Sequence, residues 1–352
     1  MSGMRSSYRQ EDVTLLLKDI TGLVEPQSTA EREKLIQSGR HYCEMLPIEY
    51  VPFPAYMEAY REALKNFSGA TADAVGRLSQ KIIREKGPQV VLVSLARAGI
   101  PIGILIKRYI RWRYGIDIPH YSISIIRGRG IDGNAVRYIL DRHDAGNVLF
   151  VDGWIGKGAI KKELENDIRG FSGLSPELAA AADPANITNL CGTHEDILIP
   201  SSCLNCTVSG LISRTFLRDD IIGPEDFHGA AYYGEWKDKD LSYGFIDAIQ
   251  SRFAWDYQEM PASSGIQGAD EVGRLAAKYG VDDINLVKPG IGETTRVLLR
   301  RVPWKILVDR RHRGDVALEH ILRLAAEKEV PVEYEDMECY KICGIIRKMA
   351  DA

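Results

Sequence analysis

The sequence is poor in the features that mark secreted, membrane-spanning and disulfide-framed proteins. Its 352 residues include six cysteines without dense or regular spacing, so reduced thiols are predicted rather than a disulfide framework. The first twenty residues lack the apolar block that a signal peptide needs. The most apolar later segment, residues 90–106, is interrupted by Arg97 and is too short to span a bilayer. We therefore expect a cytoplasmic protein with no membrane partner.

The sequence also lacks a large charge excess, internal repeats and low-complexity tracts. Its formal net charge of -4 provides no overall attraction to nucleic acid or anionic lipid, so a basic binding site would have to be local. Hydrophobic residues make up 45% and charged residues 27%, as is ordinary for a globular protein. The length is sufficient for two domains.

What the sequence does contain is an alternation of strand and helix patterns. Residues 1 to about 45 predict a polar arm with a short helix, and a proline-punctuated connector follows at 45–54. Helical periodicity then extends over residues 56–86. Beyond it, strands are predicted at 89–95, 119–128 and 147–152, and helices at 102–114, 136–143 and 159–168. This order predicts a parallel α/β sheet that binds ligands at the carboxyl ends of its strands.

A second, smaller alternation follows a flexible segment of small residues, MPASSGIQGA, at 260–269. Helices are predicted at 269–279, 294–301 and 317–328, and strands at 284–287, 304–308 and 332–334. We therefore divide the chain into a domain of residues 1–262, which includes the N-terminal arm, and a domain of residues 263–352.

Three glycine-bearing loops follow the predicted strands of the first domain. They are SLARAGIPIG at 94–103, ISIIRGRGID at 123–132 and VLFVDGWIGKGAI at 148–160. In the third, an apolar strand ends in the single acid Asp152 and turns through Gly153, Gly156 and Gly158 into a helix, as in an anion-binding loop. Gly-X-X-Gly-Lys is too tightly spaced for a nucleotide P-loop, which excludes an ATPase. A plain glycine turn between strand and helix remains the alternative.

In their order along the chain, these loops resemble the pyrophosphate loop, the flexible basic loop and the phosphoribosyl-pyrophosphate loop of type I phosphoribosyltransferases. The resemblance covers about residues 85–215, and Gly153 stands where that family has a second acid. It implies catalytic roles for Asp152, Arg127 and Arg129. The ligand-binding residues that it implies are Arg97, Ala98, Gly99, Gly156, Lys157, Gly158 and Ala159. Mg²⁺ would be held by the phosphorylated ligand, with no metal site made by the protein alone.

Three polar residues downstream, Asn205, Ser209 and Arg214, are candidates for contacts to the acceptor substrate. Capping and turn roles are the alternative for these side chains.

A closer resemblance is to a bacterial family associated with tellurium resistance and stress, in which a phosphoribosyltransferase-like domain is fused to a Pelota-type RNA-binding domain. It is carried, within residues 38–230, by SGRHYCEMLPIEY, VSLARAGIPIG, PHYSISIIRGRGID, VDGWIGKGAI, IPSSCLNCTVSGLISRT and DFHGA.

The same family is also labelled a cysteine protease, StiP, which implies a rival function. The candidate nucleophiles are Cys203 and Cys206, with His194 or His228 as base and Asp196 or Asp226 as the orienting acid. The Cys-X-X-Cys spacing could also bind zinc, but no nearby Cys/His pair completes four ligands, so structural thiols are predicted.

The C-terminal segment KPGIGETTRVLLRRVPWKILV, 288–308, resembles the motif with which L7Ae/L30e and Pelota-type domains contact kinked RNA. The RNA-binding residues that it implies are Lys288, Gly290, Gly292, Glu293, Arg296, Arg300 and Arg301. Residues 296–313 hold seven Lys/Arg against one acid, a local net charge of 7 - 1 = +6 that suits contact with a phosphate backbone. A solvated helix face is the alternative.

The sequence thus predicts an α/β protein with a type I phosphoribosyltransferase-like parallel sheet and a smaller Pelota/L7Ae-like α/β domain. The main predicted function is Mg²⁺-dependent transfer from phosphoribosyl pyrophosphate, or a related ribosyl phosphate, in nucleoside-like metabolism, coupled to binding of structured RNA. A non-catalytic RNA-binding or ligand-sensing protein with a decayed transferase site is one alternative, and a cysteine protease is the other. The sequence leaves open whether the protein forms a homodimer.

Overall fold

The computed structural model describes residues 3–260 and 265–347, without the side chains of Thr29, Ala30, Glu33 and Arg300. The helices of this part of the chain are α1 (Thr29–Gln37), α2 (Pro54–Lys86), α3 (Gly99–Tyr114), α4 (Gly133–Leu140), α5 (Ala159–Asp167), α6 (Ser242–Gln250), α7 (Gly268–Lys278), α8 (Ile291–Arg300) and α9 (Glu319–Glu327). None of the described helices has the length and apolar character that a membrane crossing requires.

The strands are β1 (Thr14–Leu15), β2 (Lys18–Asp19), β3 (Val91–Leu95), β4 (His120–Ile123), β5 (Ile125–Ile126), β6 (Gly130–Ile131), β7 (Val148–Trp154), β8 (Leu178–Ala182), β9 (Cys191–Thr193), β10 (Gly229–Ala230), β11 (Val287–Pro289), β12 (Pro303–Asp309), β13 (Val332–Glu335) and β14 (Ile342–Ile346).

Six of these strands form one sheet in the order β1-β4-β3-β7-β8-β9, and every neighbouring pair is parallel. This confirms the predicted parallel sheet. β3 and β8 are buried along their whole length, which explains why they are continuous apolar runs. The chain places β4 on one side of β3 and β7 on the other, so the strand order reverses between β3 and β7. Open parallel sheets bind ligands at the carboxyl end of such a reversal.

Helices cover both faces of this sheet. α2 has 33 residues, begins with Pro54 at its first position and ends at Gly87, whose φ of 75° suits a residue without a side chain. Its alanine-rich buried stripe packs against α3, α6, β8 and β9. α4 and α5 lie over the opposite face, where a second hydrophobic cluster includes Phe150 and Leu164. The first domain is therefore a three-layer α/β/α arrangement.

The N-terminal segment is part of this domain rather than the polar arm that its composition predicts. Thr14–Leu15 adds an edge strand beside β4, and Lys18–Asp19 pairs with β10. Val13, Leu17 and Ile20 are buried. The predicted arm was wrong because the partners of these residues are strands more than one hundred residues away in the sequence. The predicted short helix is confirmed by α1 (Thr29–Gln37).

The second domain is built on a four-stranded sheet in the order β11-β14-β12-β13, in which only β12 and β13 run parallel. The strand predicted at 284–287 is corrected: Ile284–Leu286 is a 3₁₀ turn, and the strand begins at Val287. The central strand β14 was not predicted. The predicted domain boundary after residue 262 falls outside the described residues and stays a prediction.

The two domains share one hydrophobic core. The largest cluster of buried side chains contains Leu78 and Leu198 from the first domain together with Ile291, Leu298 and Ile321 from the second. The Tyr56 hydroxyl donates to the carbonyl of Leu299, and this bond ties the start of α2 to the end of α8. The second domain is therefore packed against the carboxyl edge of the large sheet.

Candidate functional site

A cavity of about 380 Å³ lies at the reversal of the large sheet, between the two domains. The loops after β3 and β7 form one side, residues 197–209 form the floor, and α8 of the second domain forms the other side. The two loops touch through their backbones. A Cβ on Gly99 would lie 2.5 Å from the carbonyl oxygen of Val151, and one on Gly153 would lie 3.2 Å from that of Ala98. The structure thus brings the first and third glycine loops together.

Asp152 and Glu293 are the two acids that line this cavity, and Asp152 lies at the end of β7. Asp152 accepts a hydrogen bond from the backbone N–H of Gly153 at 2.7 Å. Burial nevertheless raises the pKa of its carboxyl to about 6, because removal from water disfavours the charged form more than one N–H supports it. An acid with this pKa can accept or release a proton near neutral pH.

Two arginines line the same cavity. Arg97 is held by Glu49 at 3.2 Å and by the carbonyl of Ile212 at 2.9 Å. Arg296, from α8, bonds Glu293 at 2.9 Å, while its buried Nε has no hydrogen-bond partner among the described residues. Arg214, the third predicted acceptor-contact residue, is exposed and does not line this cavity.

Two of the predicted acceptor-contact residues have the alternative, structural role. The Asn205 amide donates to the carbonyl of Tyr50 and its oxygen caps the N–H of Thr207. The Ser209 hydroxyl donates to the carbonyl of Asn205 at 3.1 Å. Both residues line the cavity, but their polar groups stabilise the turn that forms its floor.

The predicted lid and phosphate-loop residues contact other protein groups. Arg127 bonds Asn285 of the second domain at 3.1 Å, and Arg129 bonds Glu44 at 2.8 Å. Lys157 donates to the carbonyls of Ile284 and Val287, and burial lowers its pKa to about 8. The Tyr340 hydroxyl donates to the carbonyl of Gly156. Gly158, at φ 77°, and the exposed Ala159 complete this loop at the start of α5.

The predicted RNA-binding motif faces the first domain. A Cβ on Gly290 would lie 2.6 Å from the Trp154 ring, and one on Gly292 would lie 3.1 Å from the Ser202 hydroxyl. Glu293 and Arg296 line the cavity. Half-buried Lys288 lies on β11, and Arg301 is exposed at the end of α8. The side chain of Arg300 lies outside the described residues. The RNA-binding roles of this set stay a prediction.

The predicted protease set is not brought together. Cys203 and Cys206 are fully buried, so a peptide cannot reach either sulfur. Their predicted partners are engaged elsewhere: His228 bonds Ser124 at 2.9 Å, and Asp226 pairs with Lys18 at 2.6 Å. Asp196 accepts the backbone N–H groups of Ile291 and Lys341 in the second domain, each at 3.0 Å.

His194 lies instead beside a cysteine that the sequence analysis did not select. Its Nε2 is 3.3 Å from Cys191 Sγ, at the start of β9. Its Nδ1 is 2.9 Å from the backbone carbonyl of Asp183, one residue beyond β8. The Asp183 carboxylate accepts the N–H groups of Ile187 and Thr188, both at 2.7 Å, and so anchors the loop. The spacing Cys-Gly-Thr-His at 191–194 was the available sequence signal.

Burial controls the chemistry of this thiol. Cys191 is 8% exposed, and burial raises the pKa of its thiol to about 12, with Asp183 adding to the effect and Lys81 opposing it. The thiol is therefore protonated at neutral pH and needs a base to become a nucleophile. It lies on an open cavity of about 630 Å³ formed by α2, β9 and residues 257–260.

A second cysteine–histidine pair is present at Cys43 and His41, whose Sγ and Nδ1 atoms are 2.9 Å apart. Cys43 is only 1% exposed, and its thiol also points to the carbonyl of Leu217 at 3.6 Å. Burial raises its pKa to about 11. This thiol is closed to a peptide substrate.

Asp183, Cys191 and His194 also offer oxygen, sulfur and nitrogen donors within 4.8 Å of one another. Such a donor set suits zinc as well as thiol chemistry.

Comparison with known proteins identifies the family. A family described as "Tellurite-like stress resistance cysteine protease StiP" matches residues 6–250, and "PELOTA RNA binding domain" matches residues 266–348. The "Cysteine protease StiP" of Acinetobacter baylyi is 36% identical over 369 aligned residues, which cover 99% of this chain and 95% of that protein.

The chain belongs to the StiP family.

Membership in the StiP family confirms the predicted stress-associated family and the Pelota domain, and it corrects the main functional prediction. Phosphoribosyl transfer was wrong, because the family and the Acinetobacter relative are named as cysteine proteases, which was the alternative. The contacts of Lys157, Arg127 and Arg129 give a physical reason, since these cations bind protein carbonyls, an amide and a carboxylate. The magnesium expected with the phosphorylated ligand remains untested.

Proposed function

We propose that this chain hydrolyses peptide bonds with Cys191 as nucleophile and His194 as general base. The observation that carries the proposal is the 3.3 Å approach of His194 Nε2 to Cys191 Sγ, with Nδ1 held by the Asp183 carbonyl at 2.9 Å. A backbone carbonyl can only accept, so Nδ1 carries the proton and Nε2 carries the lone pair. Because the sulfur is also 3.7 Å from Nδ1, it lies beside the ring rather than in line with that lone pair, and the imidazole has to turn before Nε2 can take the thiol proton.

This arrangement accounts for each proton in the reaction. His194 Nε2 removes the Sγ proton as sulfur attacks the substrate carbonyl carbon. The imidazolium then gives that proton to the departing amine as the C–N bond breaks. Water, deprotonated by the same nitrogen, hydrolyses the thioester and restores the thiol. Because the thiol is protonated before substrate binds, the histidine removes the proton during the attack, and no thiolate–imidazolium pair is formed beforehand.

The test is cleavage of a fluorogenic casein or peptide library by purified protein. Cys191→Ser and His194→Gln should each lower turnover by at least about 100-fold, in the range seen when a general base or nucleophile is removed. The matched controls are Cys203→Ser and Cys206→Ser, which remove buried thiols outside the site. Turnover that survives Cys191→Ser and disappears with Cys203→Ser or Cys206→Ser would refute the proposal. Inhibition by a zinc chelator, with resistance to iodoacetamide, would assign the three side chains to a metal.

Binding of RNA by the second domain is a second candidate function, supported by the match of residues 266–348 to the Pelota RNA-binding domain. The exposed Arg310 and Arg313, in the segment after β12, are cations that a phosphate backbone could contact. A structured RNA should then bind the intact chain, and its affinity should fall as salt rises.

We also infer that the first domain has the type I phosphoribosyltransferase-like architecture, adapted to a different reaction. The order of its three glycine loops along a parallel sheet supports this, as does the cavity at the strand-order reversal. A crystal structure with a different strand order would contradict it.

A further inference from the structure

Residues 255–260, here called the strap, cross the outer surface of α2 without joining any helix or sheet. Side chains of the helices bind their backbone instead. The Tyr257 N–H donates to the Gln80 amide oxygen at 3.1 Å, and the Gln258 carbonyl accepts from Arg77 Nε at 3.2 Å. The Trp255 carbonyl accepts from Arg113 Nε at 2.8 Å. This is how a protein surface binds an extended peptide of another molecule.

The acidic side chains of the strap are bound by cations on both helices. Asp256 accepts from Arg113 at 2.9 Å and from the Gln80 amide at 3.2 Å. Glu259 pairs with Arg84. The surface beneath the strap thus recognises two acids that are three residues apart in an extended chain.

An aromatic residue between the two acids sets the register. The Tyr257 ring occupies the place where a Cβ on Gly76 would be, at 1.9 Å from its nearest ring atom. Its hydroxyl accepts from the backbone N–H of Ala254 at 2.7 Å. Position 76 on α2 therefore has to be glycine for the ring to lie flat against the helix.

The strap leads to the proposed nucleophile. Residues 257–260 and Cys191 and His194 line the same cavity of about 630 Å³. Arg77, Lys81 and Arg84 project from one face of α2 into it, because positions four and three residues apart share a helix face. The Lys81 ammonium donates to the Asn189 carbonyl, two residues before Cys191. A basic path therefore connects the strap surface with the thiol.

The two ion pairs of the strap contribute little to holding it in place. The side chains of Asp256 and Glu259 are 67% and 75% exposed, and exposed ion pairs of this kind add little to stability. A peptide with the same groups could replace the strap by making the same bonds.

We infer that the surface formed by α2, the C-terminal end of α3 and β9 binds an extended acidic peptide as substrate, and that the strap occupies part of this surface as an intramolecular competitor. This inference rests on the proposed function of Cys191. It assigns Arg84, Arg113 and Gln80 to substrate recognition and gives the substrate class as peptides with two acids flanking an aromatic residue.

The binding test uses the full-length Cys191→Ser variant and a labelled peptide of residues 253–260, FAWDYQEM. Replacing the strap acids by Asp256→Asn with Glu259→Gln should tighten binding of this peptide by about three- to tenfold, because the competitor loses its ion pairs. The control pair is Asp220→Asn with Glu165→Gln, two exposed acids paired with cations elsewhere, and it should change nothing. The neutral peptide FAWNYQQM should bind more weakly to every variant.

The activity test uses the chain with Cys191 intact. The strap variant, Asp256→Asn with Glu259→Gln, should have a higher kcat/KM for the acidic peptide, chiefly through a lower KM. Arg84→Gln with Arg113→Gln should remove the preference for the acidic over the neutral peptide. Melting curves check that each variant is folded. Cleavage that persists in Cys191→Ser would overturn the proposed function alone. If cleavage needs Cys191 but the strap variant and the control variant have equal kcat/KM, the inference that the strap competes with substrate is overturned. If the acidic and the neutral peptide bind equally well, the proposed substrate class is overturned.

Discussion

Two carboxyl groups at the edge of the large sheet, half-buried Asp152 and buried Asp196, have unusual proton affinities. Burial raises the pKa of Asp152 to about 6 and that of Asp196 to about 7. They differ in what they bind, because Asp196 accepts two backbone N–H groups of the second domain whereas Asp152 faces a cavity. The sequence identified Asp152 as the single acid after an apolar strand. It could not reveal the pKa, since the groups that exclude water come from distant segments.

At the residue scale, Asp152→Asn should flatten the dependence of stability on pH. A carboxyl whose pKa rises on folding keeps its proton in the folded chain after the unfolded chain has lost it. The free energy of unfolding of the wild type therefore falls as the pH rises from 3.8, the ordinary pKa of an aspartate, to about 6, the pKa of Asp152 in the folded chain. Above that pH, this carboxyl group causes no further fall. We expect the free energy of unfolding of the variant, relative to wild type, to rise by about 1–2 kcal/mol between pH 4 and pH 7, allowing for solvent at the cavity mouth.

Urea unfolding at the two pH values measures this difference. Glu327→Gln, which removes an exposed acid on α9, is the control. If the free energies of unfolding of the variant and the wild type differed by the same amount at both pH values, Asp152 would titrate at the ordinary pKa of an aspartate.

At the scale of elements, the packing of α2 on β9 places the proposed nucleophile. Gly192 lies directly after Cys191, and a Cβ there would be 2.0 Å from the carbonyl oxygen of Ala74. No strand was predicted for β8 or β9. β8 is the alanine-rich run LAAAA, whose residues favour helices in isolation, and β9 has only three residues. Burial in the sheet and the closeness of α2 decide their structure, since only small side chains fit there.

We predict opposite effects for two glycine-to-alanine changes at these elements. Gly192→Ala should destabilise the protein by about 1–3 kcal/mol, because the methyl group meets backbone atoms that cannot move aside cheaply. It should also impair Cys191-dependent cleavage by moving β9. Gly69→Ala, within α2 and with open space around it, should stabilise by about 0.5–1 kcal/mol. Thermal unfolding compares the two, and a Gly192→Ala protein as stable as wild type would contradict the close approach.

At the scale of the whole molecule, the two domains are joined through the residues that the sequence assigned to RNA. Gly290 packs on Trp154, Ile291 is bound by Asp196, and Arg296 lines the cavity between the domains. In this arrangement the first domain covers the part of the motif from Gly290 to Arg296, while Arg301 is exposed. The exposed Arg310 and Arg313 remain open to a phosphate backbone.

We therefore predict that RNA binding to the intact chain depends on the exposed arginines. Arg310→Gln with Arg313→Gln should weaken binding of a structured RNA hairpin and reduce the slope of log affinity against log salt by about 2, one for each lost phosphate contact. Arg296→Gln, which also removes cationic charge from the second domain, should have little effect. Filter binding or fluorescence anisotropy at several salt concentrations decides this. The reverse pattern would show that RNA reaches the covered motif and that the domains separate.

The sequence by itself determined the parallel α/β sheet, its glycine loops, the smaller second domain and the family resemblance. These follow from hydrophobic periodicity and contiguous motifs, which are local properties of the chain. Only the tertiary structure decided the site. The orientation of His194 depends on the Asp183 carbonyl eleven residues earlier. The strap is bound through Arg77 and Gln258, which are 181 residues apart in the sequence. Gly290 of the predicted RNA motif packs against Trp154 of the first domain. Such contacts depend on how separate elements pack, and no local pattern in the sequence records that packing.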